Sequence, residues 1–387
     1  MLVLVTVGYF LSAWAWGLLS PLAPLLRDSA GLAEMEQALV VAVPVLVGCL
    51  GRVPVGALAD RFGGRALFLA VTGVTIGALA ELAAGGYRSL PGLLAGAVLL
   101  GAAGTTFAAG VQFISGWFPG AGRGVAVGVL GMGVCGGAAG GLTAVRWAGA
   151  YGMAVPFAVS AALLAACAMA VFLLGREAPD WLPSGQRAAS RLAAALRLRI
   201  TWQGAGWYSV QFGLFVAFSV YLPVYLGNAY GLPAAGAGLW MAAFVIVAVL
   251  ARPVGGWVAD RFGPARPLVA ALGALALAAA AQACTPPFPV TAGLIMPIMA
   301  VALGVASSAT LVQVAAEAGR PMVGLVTGLV TAVAGLAGFA TPLVMAFSYA
   351  RLGRYGPAVA LFAVAAAAGA WSAARHRADG AGPQAAA

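Results

Sequence analysis

The sequence has no lysine and carries little charge of either sign. All 20 of its basic residues are arginine, only 10 residues are acidic, and charged residues make up 8% of the 387. Soluble domains carry about 25% charged residues, so a soluble globule is excluded. Hydrophobic residues make up 63% of the chain, in runs of about 20 residues that match the length of a membrane-spanning helix. The sequence therefore predicts an all-α integral membrane protein.

Residues that carry catalytic or metal chemistry are equally scarce. The one histidine, His376, lies in a polar tail, and the four cysteines lie inside apolar runs without metal-ligand spacing: Cys49, Cys135, Cys167 and Cys284. Such cysteines usually behave as small core residues. The net charge of +10 is spread over short connections between apolar runs, as membrane topology requires. We therefore expect no enzymatic activity, no metal, no cofactor and no nucleic-acid partner.

Apolar runs bounded by charged residues, proline or glycine predict twelve transmembrane helices. Their predicted bounds are 2–26, 37–58, 66–86, 91–115, 124–145, 151–175, 204–226, 234–258, 267–285, 289–314, 322–347 and 355–373. Cytoplasmic connections carry an excess of arginine and lysine. With both termini in the cytoplasm, 13 arginines lie inside and 5 outside. The chain is accordingly predicted to be a multi-pass protein of the inner (plasma) membrane with both termini cytoplasmic.

The second half of the chain repeats the first after a shift of 200 residues. The repeat is clearest in the stretches 52–63 and 252–263, where seven residues recur identically. Duplicated halves in an apolar chain are typical of secondary transporters, whose substrate site lies between the halves near the bilayer midplane. We therefore predict two pseudo-symmetric six-helix bundles, 1–175 and 204–374. A cytoplasmic linker, 176–203, would join them, and 375–387 would form a cytoplasmic tail.

Two arginines occupy equivalent positions deep within the predicted spans. Arg52 and Arg252 each lie eight residues before the Asp-Arg pair that marks the cytoplasmic end of their span, which places them about 12 Å deep in a helix. A buried guanidinium is costly and usually functional, and Glu81 is the one acid well within a span. Two cations without protein counter-ions favour a small planar anion bound between them, because guanidinium donates paired hydrogen bonds to flat oxyanions. The alternative, in which both arginines reach back to the surface, remains open.

Three further features accompany the arginines. Aromatic residues at mid-span depth are candidates for stacking on the anion or for ordinary packing: Phe107, Tyr208 and Phe212. Charged residues of two short loops predict either an ion-pair latch for a two-state motion or a plain topology anchor: Asp60, Arg61, Arg65, Asp260, Arg261 and Arg266. Glycines of the fifth and eleventh spans indicate close helix packing: Gly128, Gly131, Gly133, Gly328, Gly335 and Gly338.

The repeated loop resembles a known signature. The pattern Gly-x-x-x-Asp-Arg-x-Gly, at 56–63 and again at 256–263, resembles that of the major facilitator superfamily, whose fold has two six-helix halves. Within the superfamily the chain resembles the nitrate/nitrite porters. Their glycine-rich signature on the eleventh helix resembles the stretch 331–342. Their asparagines near the fifth helix are missing, because Phe113, Leu130 and Val134 or Cys135 stand there.

The resemblance implies roles for particular residues. The substrate arginines of these porters match Arg52 and Arg252, the aromatic residue of the fourth helix matches Phe107, and those of the seventh match Tyr208 and Phe212. It implies a transporter in the lipid bilayer that moves nitrate and nitrite by alternating access. We expect the protein to act as a monomer.

The sequence restricts the mode of transport and the identity of the anion less than it restricts the fold. Exchange of nitrate for nitrite is preferred over nitrate-proton symport, because the spans offer almost no carboxylate to carry a proton. Two alternatives remain: an exchanger of small carboxylates of the oxalate/formate type, and an anion sensor without transport.

Overall fold

The computed structural model describes residues 1–115, 117, 126, 129–177, 188–318 and 323–380, and this part of the chain is helical without any strand. Its main helices are α1 (Leu2–Gly17), α2 (Leu19–Ala30), α3 (Glu34–Phe62), α4 (Gly64–Ala83), α5 (Leu90–Leu100), α6 (Thr106–Ser115), α7 (Gly136–Tyr151), α8 (Ala154–Leu174), α9 (Ala188–Arg197), α10 (Arg199–Phe218), α11 (Leu222–Tyr230), α12 (Ala234–Phe262), α13 (Ala265–Ala283), α14 (Met296–Ala318), α15 (Val323–Leu352) and α16 (Gly356–Gly380).

These helices confirm the predicted all-α membrane fold. Within the described residues, 11 helical segments are long and apolar enough to cross a bilayer, and the bent pair α10 and α11 brings the number to 12. Several spans combine more than one helix type. A 3-10 segment, Gly101–Thr105, joins α5 to α6, and a π-helical segment, Thr291–Ile295, precedes α14.

The seventh span, predicted from the sequence as a single apolar run from 204 to 226, is broken in the structure. Helices α10 and α11 meet at an angle of 56°. Pro223 stands in the first turn of α11. Proline has no backbone N–H to donate and its ring clashes with the preceding turn, so a helix begins at such a residue more readily than it continues through it.

The described helices pack into two compact units. The first contains Met1–Ala188 and Ser219–Ala243, and the second contains Ala189–Phe218 and Phe244–Ala387. The break in the seventh span therefore coincides with a boundary between units. In the first unit α4 packs against α8 and α1 packs against α7, around fully buried rings of Phe68, Phe113 and Phe157. Helix α11 packs on α2.

In the second unit α10 packs along α15 and α14, and α13 packs along α16. Thr341 of α15 donates a hydrogen bond to the carbonyl of Gly213 on α10 at 2.9 Å. This bond satisfies a hydroxyl that would otherwise be buried without a partner. Helix α10 is thereby fixed against α15, and its side chains are positioned toward α12 and α14.

Large apolar side chains on the outward faces of both units are exposed. Leu174, Leu277 and Val364 are each more than 60% exposed. A soluble monomer rarely exposes apolar patches of this extent, whereas lipid tails cover them without cost. The exposed surface therefore agrees with a multi-pass membrane protein.

Candidate functional site

Arg52 lies on α3 beside the 3-10 segment of the fourth span. Its Nε donates a hydrogen bond to the carbonyl oxygen of Gly104 at 3.1 Å. The two backbones are close, since a Cβ added to Gly104 would lie 2.8 Å from the Cα of Gly48. Small residues allow membrane helices to approach in this way. A backbone carbonyl thus takes one donor of the guanidinium and fixes where Arg52 points.

Phe107 follows Gly104 by three residues, so it lies about one turn from the carbonyl that holds Arg52. Its ring packs against that of Tyr9, with centroids 5.4 Å apart and planes tilted by 45°. A Cβ added to Gly131 would lie 4.0 Å from the same ring. The structure therefore brings the predicted residues Arg52 and Phe107 to one region of the first unit. The role of Phe107 in stacking on an anion stays a prediction.

In the second unit Arg252 opens onto a narrow cleft between α10, α12 and α14. The guanidinium carbon of Arg252 lies 6.0 Å from the centre of the Phe215 ring, a distance at which a cation is attracted to an aromatic face. Ser308 of α14 donates a hydrogen bond to the backbone carbonyl of Arg252 at 2.7 Å. About 10 Å³ of the cleft is wide enough for water, which is room for about one water molecule. An anion would therefore enter only when the side chains move apart.

Aromatic rings form one wall of this cleft. Tyr208, Phe212 and Phe215 line it and follow one face of α10, because residues four and three apart are neighbours on a helix. The rings of Tyr208 and Phe212 are stacked at 6.2 Å with 13° between their planes, and those of Phe212 and Phe215 at 6.4 Å with 25°. The structure thus places three predicted site residues, Arg252, Tyr208 and Phe212, around one cleft.

The sequence prediction missed three side chains that line the same cleft: Phe215, Gln211 and Ser307. Gln211 is 2% exposed, and Ser307 donates a hydrogen bond to the Tyr208 hydroxyl at 3.3 Å. Phe215 could have been found from its helical spacing to Tyr208 and Phe212. Gln211 could have been found as a polar side chain in an apolar span, one turn after Tyr208.

The electrostatics of the cleft favour an anion. No carboxylate in the described part of the chain lies within ion-pair distance of Arg252. A partly buried cation without a counter-ion is costly in a medium of low dielectric constant. The described residues also contain no group of three potential metal ligands. The cleft can offer a negative group a guanidinium beside aromatic rings.

The charged loops after α3 and α12 differ in their contacts. The backbone N–H of Arg65 donates to the Glu177 carboxylate at 2.6 Å, and the Arg65 side chain donates to the carbonyl of Phe172, also at 2.6 Å. Arg261 lies beside the exposed rings of Trp257 and Phe262. Among the described side chains none forms an ion pair with Arg61, Arg65, Asp260, Arg261 or Arg266. The side chain of Asp60 lies outside the described part, and the predicted latch stays a prediction.

The predicted packing glycines also differ from one another. Gly133 is tightly packed, since a Cβ there would lie 2.6 Å from the Tyr9 ring, whereas a Cβ at Gly328 would meet no described atom within 4 Å. Gly335 and Gly338 are buried in α15, and Gly128 lies outside the described residues. Close packing is therefore seen at Gly133 and is not seen at Gly328.

Comparison with known proteins identifies the class of protein that this fold represents. Residues 5–342 match the family model of the Major Facilitator Superfamily. Among solved structures, that of the human organic anion transporter MFSD10 superimposes with a TM-score of 0.76 at 17% identity, covering 96% of this chain and 98% of that protein. The chain belongs to the Major Facilitator Superfamily, which confirms the predicted superfamily and the prediction that the protein is not an enzyme.

Relatives in the same superfamily narrow the comparison. The chain is 41% identical over 351 residues to the probable nitrate/nitrite transporter NarK2 of Mycobacterium tuberculosis, covering 90% of this chain and 88% of that protein. It is 31% identical over 341 residues to the nitrite extrusion protein of Bacillus subtilis, covering 88% and 85%. The chain therefore belongs to the same transporter family as these proteins, as the resemblance predicted.

Proposed function

We propose that this protein transports nitrate and nitrite across the plasma membrane by alternating access, with Arg52 and Arg252 both binding the anion. The observation that carries the proposal is the cleft around Arg252. It combines a guanidinium, three aromatic rings and no described carboxylate partner. A planar monoanion satisfies the fork of arginine and presents a flat face to the rings.

The similarity to relatives named as nitrate/nitrite transporters and as a nitrite extrusion protein supports this substrate. The assignment of Arg52 and Arg252 to one anion rests on their equivalent positions in the duplicated sequence. Phe107, Tyr208 and Phe212 are proposed to contact the anion through their ring faces. The proposal includes a monomer in the bilayer with both termini in the cytoplasm, the orientation that the excess of arginine in one set of loops favours.

Exchange of nitrate for nitrite is the preferred mode of transport. An inside-negative potential opposes the entry of one negative charge by about 2.3 kcal/mol per 100 mV. Exchange of two monoanions moves no net charge and needs no proton carrier. Glu81 is the one acidic residue well inside the spans, and it does not line the Arg252 cleft. A proton-coupled symport would need a titrating group near the transported anion.

Uptake of labelled nitrate into proteoliposomes tests both the substrate and the mode. Vesicles are loaded with nitrite, with formate or with neither, and uptake is measured with and without an imposed pH gradient. Exchange predicts strong stimulation by internal nitrite and no effect of the gradient. Stimulation by formate instead of nitrite would assign the protein to the exchange of small carboxylates. Nitrate binding without any uptake would indicate a sensor.

A further inference from the structure

A buried carboxamide lines the Arg252 cleft and is incompletely satisfied. Gln211 is 2% exposed, and its Nε2 donates a hydrogen bond to the hydroxyl of Thr310, which is fully buried on α14. The Oε1 atom of Gln211 is buried and has no hydrogen-bond partner among the described residues. The other two neutral polar side chains of the cleft, Ser307 and Tyr208, are hydrogen-bonded to each other.

An unsatisfied buried acceptor costs about 1 to 3 kcal/mol, and native proteins keep few of them. Here a local rearrangement can replace the unsatisfied acceptor by an unsatisfied donor, which a bound anion can then pair. A carboxamide that turns by 180° exchanges its oxygen and nitrogen in the same space. The hydroxyl of Thr310 is both donor and acceptor, so it can bond either end. After the turn, Oε1 accepts from Thr310, and the NH₂ group of Gln211 is available to donate.

A donor beside Arg252 distinguishes between the two proposed substrates. The guanidinium fork of arginine engages two oxygens of a planar oxyanion. Nitrate has a third oxygen and nitrite does not. A pocket built to hydrogen-bond a group discriminates against an analogue that lacks the group, because its own polar atom is then left unpaired. The NH₂ group of Gln211 can therefore give nitrate one more hydrogen bond than nitrite receives.

From this geometry we infer that Gln211, oriented by Thr310, is the specificity-determining residue that favours nitrate over nitrite at the Arg252 cleft. The inference rests on the proposed function and deepens it. The guanidinium alone does not discriminate between nitrate and nitrite, and the inference assigns this discrimination to a side chain of α10. Thr310 acts as a positioning residue, because it holds the carboxamide rather than the anion.

The test measures the KM for nitrate and for nitrite in proteoliposomes with the full-length protein. Gln211→Met keeps the length of the side chain and removes its hydrogen-bonding groups. We expect the KM for nitrate to rise by about ten- to a hundredfold, the range for one hydrogen bond to a charged group, while the KM for nitrite stays near its original value. Gln282→Met is the matched control, because Gln282 is 1% exposed in the same unit and does not line the cleft. Its nitrate-to-nitrite ratio is expected to be unchanged.

Equal losses for both anions, or an unchanged ratio, would overturn the inference. If Gln211→Met does not reach the membrane, the same measurement on Thr310→Val tests the inference. This variant removes the orienting hydroxyl, and a smaller shift of the ratio in the same direction is expected; an unchanged ratio would count against the inference. If the unaltered protein moves neither anion, the proposed function itself is wrong. Transport of both anions with an unaltered ratio in these variants would overturn the role of Gln211 alone.

Discussion

Arg52 and Arg252 are equivalent in the duplicated sequence but are held differently in the two units. Arg52 donates its Nε to a backbone carbonyl, that of Gly104. Arg252 lies near an aromatic ring, that of Phe215, and no described carboxylate pairs with it. Duplication has therefore preserved the cation, and the contacts described for its guanidinium differ between the two units. The backbone fixes Arg52, and the walls of an aromatic cleft surround Arg252.

Replacing either arginine by lysine should give the largest effect. Lysine keeps the charge but loses the planar fork and its paired hydrogen bonds. We expect Arg52→Lys and Arg252→Lys each to weaken nitrate binding by about 2 kcal/mol or more. The loss should be larger for Arg252→Lys, because the change also alters the cation that lies 6.0 Å from the centre of the Phe215 ring. Nitrate titration of the purified variants measures both. A lysine variant with the original affinity would show that the fork is not needed.

Removing the ring beside Arg252 should have a smaller effect. Phe215→Leu keeps an apolar side chain but removes the aromatic face, which contributes about 0.5 to 2 kcal/mol to a neighbouring cation. We therefore expect weaker nitrate binding by that amount. Phe347→Leu is the control, because Phe347 is an exposed ring 5.8 Å from Arg351. If both changes affect nitrate binding equally, the ring has no particular role at Arg252.

The loop glycines Gly63 and Gly263 occupy equivalent positions in the two halves, and replacing each of them compares how much the two loops contribute to thermal stability. Both have a positive φ, of 93° and 78°, a conformation that costs residues other than glycine about 1 to 3 kcal/mol. A Cβ on Gly63 would also lie 2.5 Å from the Glu177 carboxylate, whereas one on Gly263 would meet no described atom within 4 Å. Gly63→Ala should therefore lower the thermal midpoint more than Gly263→Ala does. Equal shifts would show that the contact with Glu177 adds nothing.

The smallest effect is expected at Glu177 itself. Glu177→Gln keeps the shape and the acceptor oxygen but removes the charge that strengthens the bond from the Arg65 backbone N–H. A loss of about 1 kcal/mol in stability follows from the difference between charged and neutral hydrogen bonds. The residue 200 positions further along, residue 377, is arginine. Thermal unfolding of the purified protein checks this; an unchanged midpoint would mean that the charge is already screened by solvent.

Much of the architecture could be predicted because it depends on local composition. The lengths of the apolar runs indicated twelve spans, and the shift of 200 residues located both arginines. The position of Tyr208 and Phe212 beside Arg252 also agrees with the structure. Membrane-spanning helices can be predicted from local sequence because each span must satisfy its own backbone hydrogen bonds within the bilayer.

What the sequence did not predict depends on contacts between distant segments. The bond from Arg52 to Gly104 requires the 3-10 segment to lie against α3. The unsatisfied carboxamide of Gln211 depends on α10 and α14 together. His376, assigned to a polar tail, lies on α16 and pairs with Glu317 at 2.6 Å. Such partners cannot be predicted from residue spacing or composition, because the packing of the helices determines which side chains meet.

The central claim, that one anion is held by both arginines, is tested most directly by a double-mutant cycle on nitrate affinity. Nitrate dissociation constants would be measured for Arg52→Gln, Arg252→Gln and the double variant. Groups that share a ligand are not additive. We predict that each single change removes most of the affinity and that the double change costs far less than the sum. Additive losses would contradict the claim, since they would mean that the two arginines bind independently of each other.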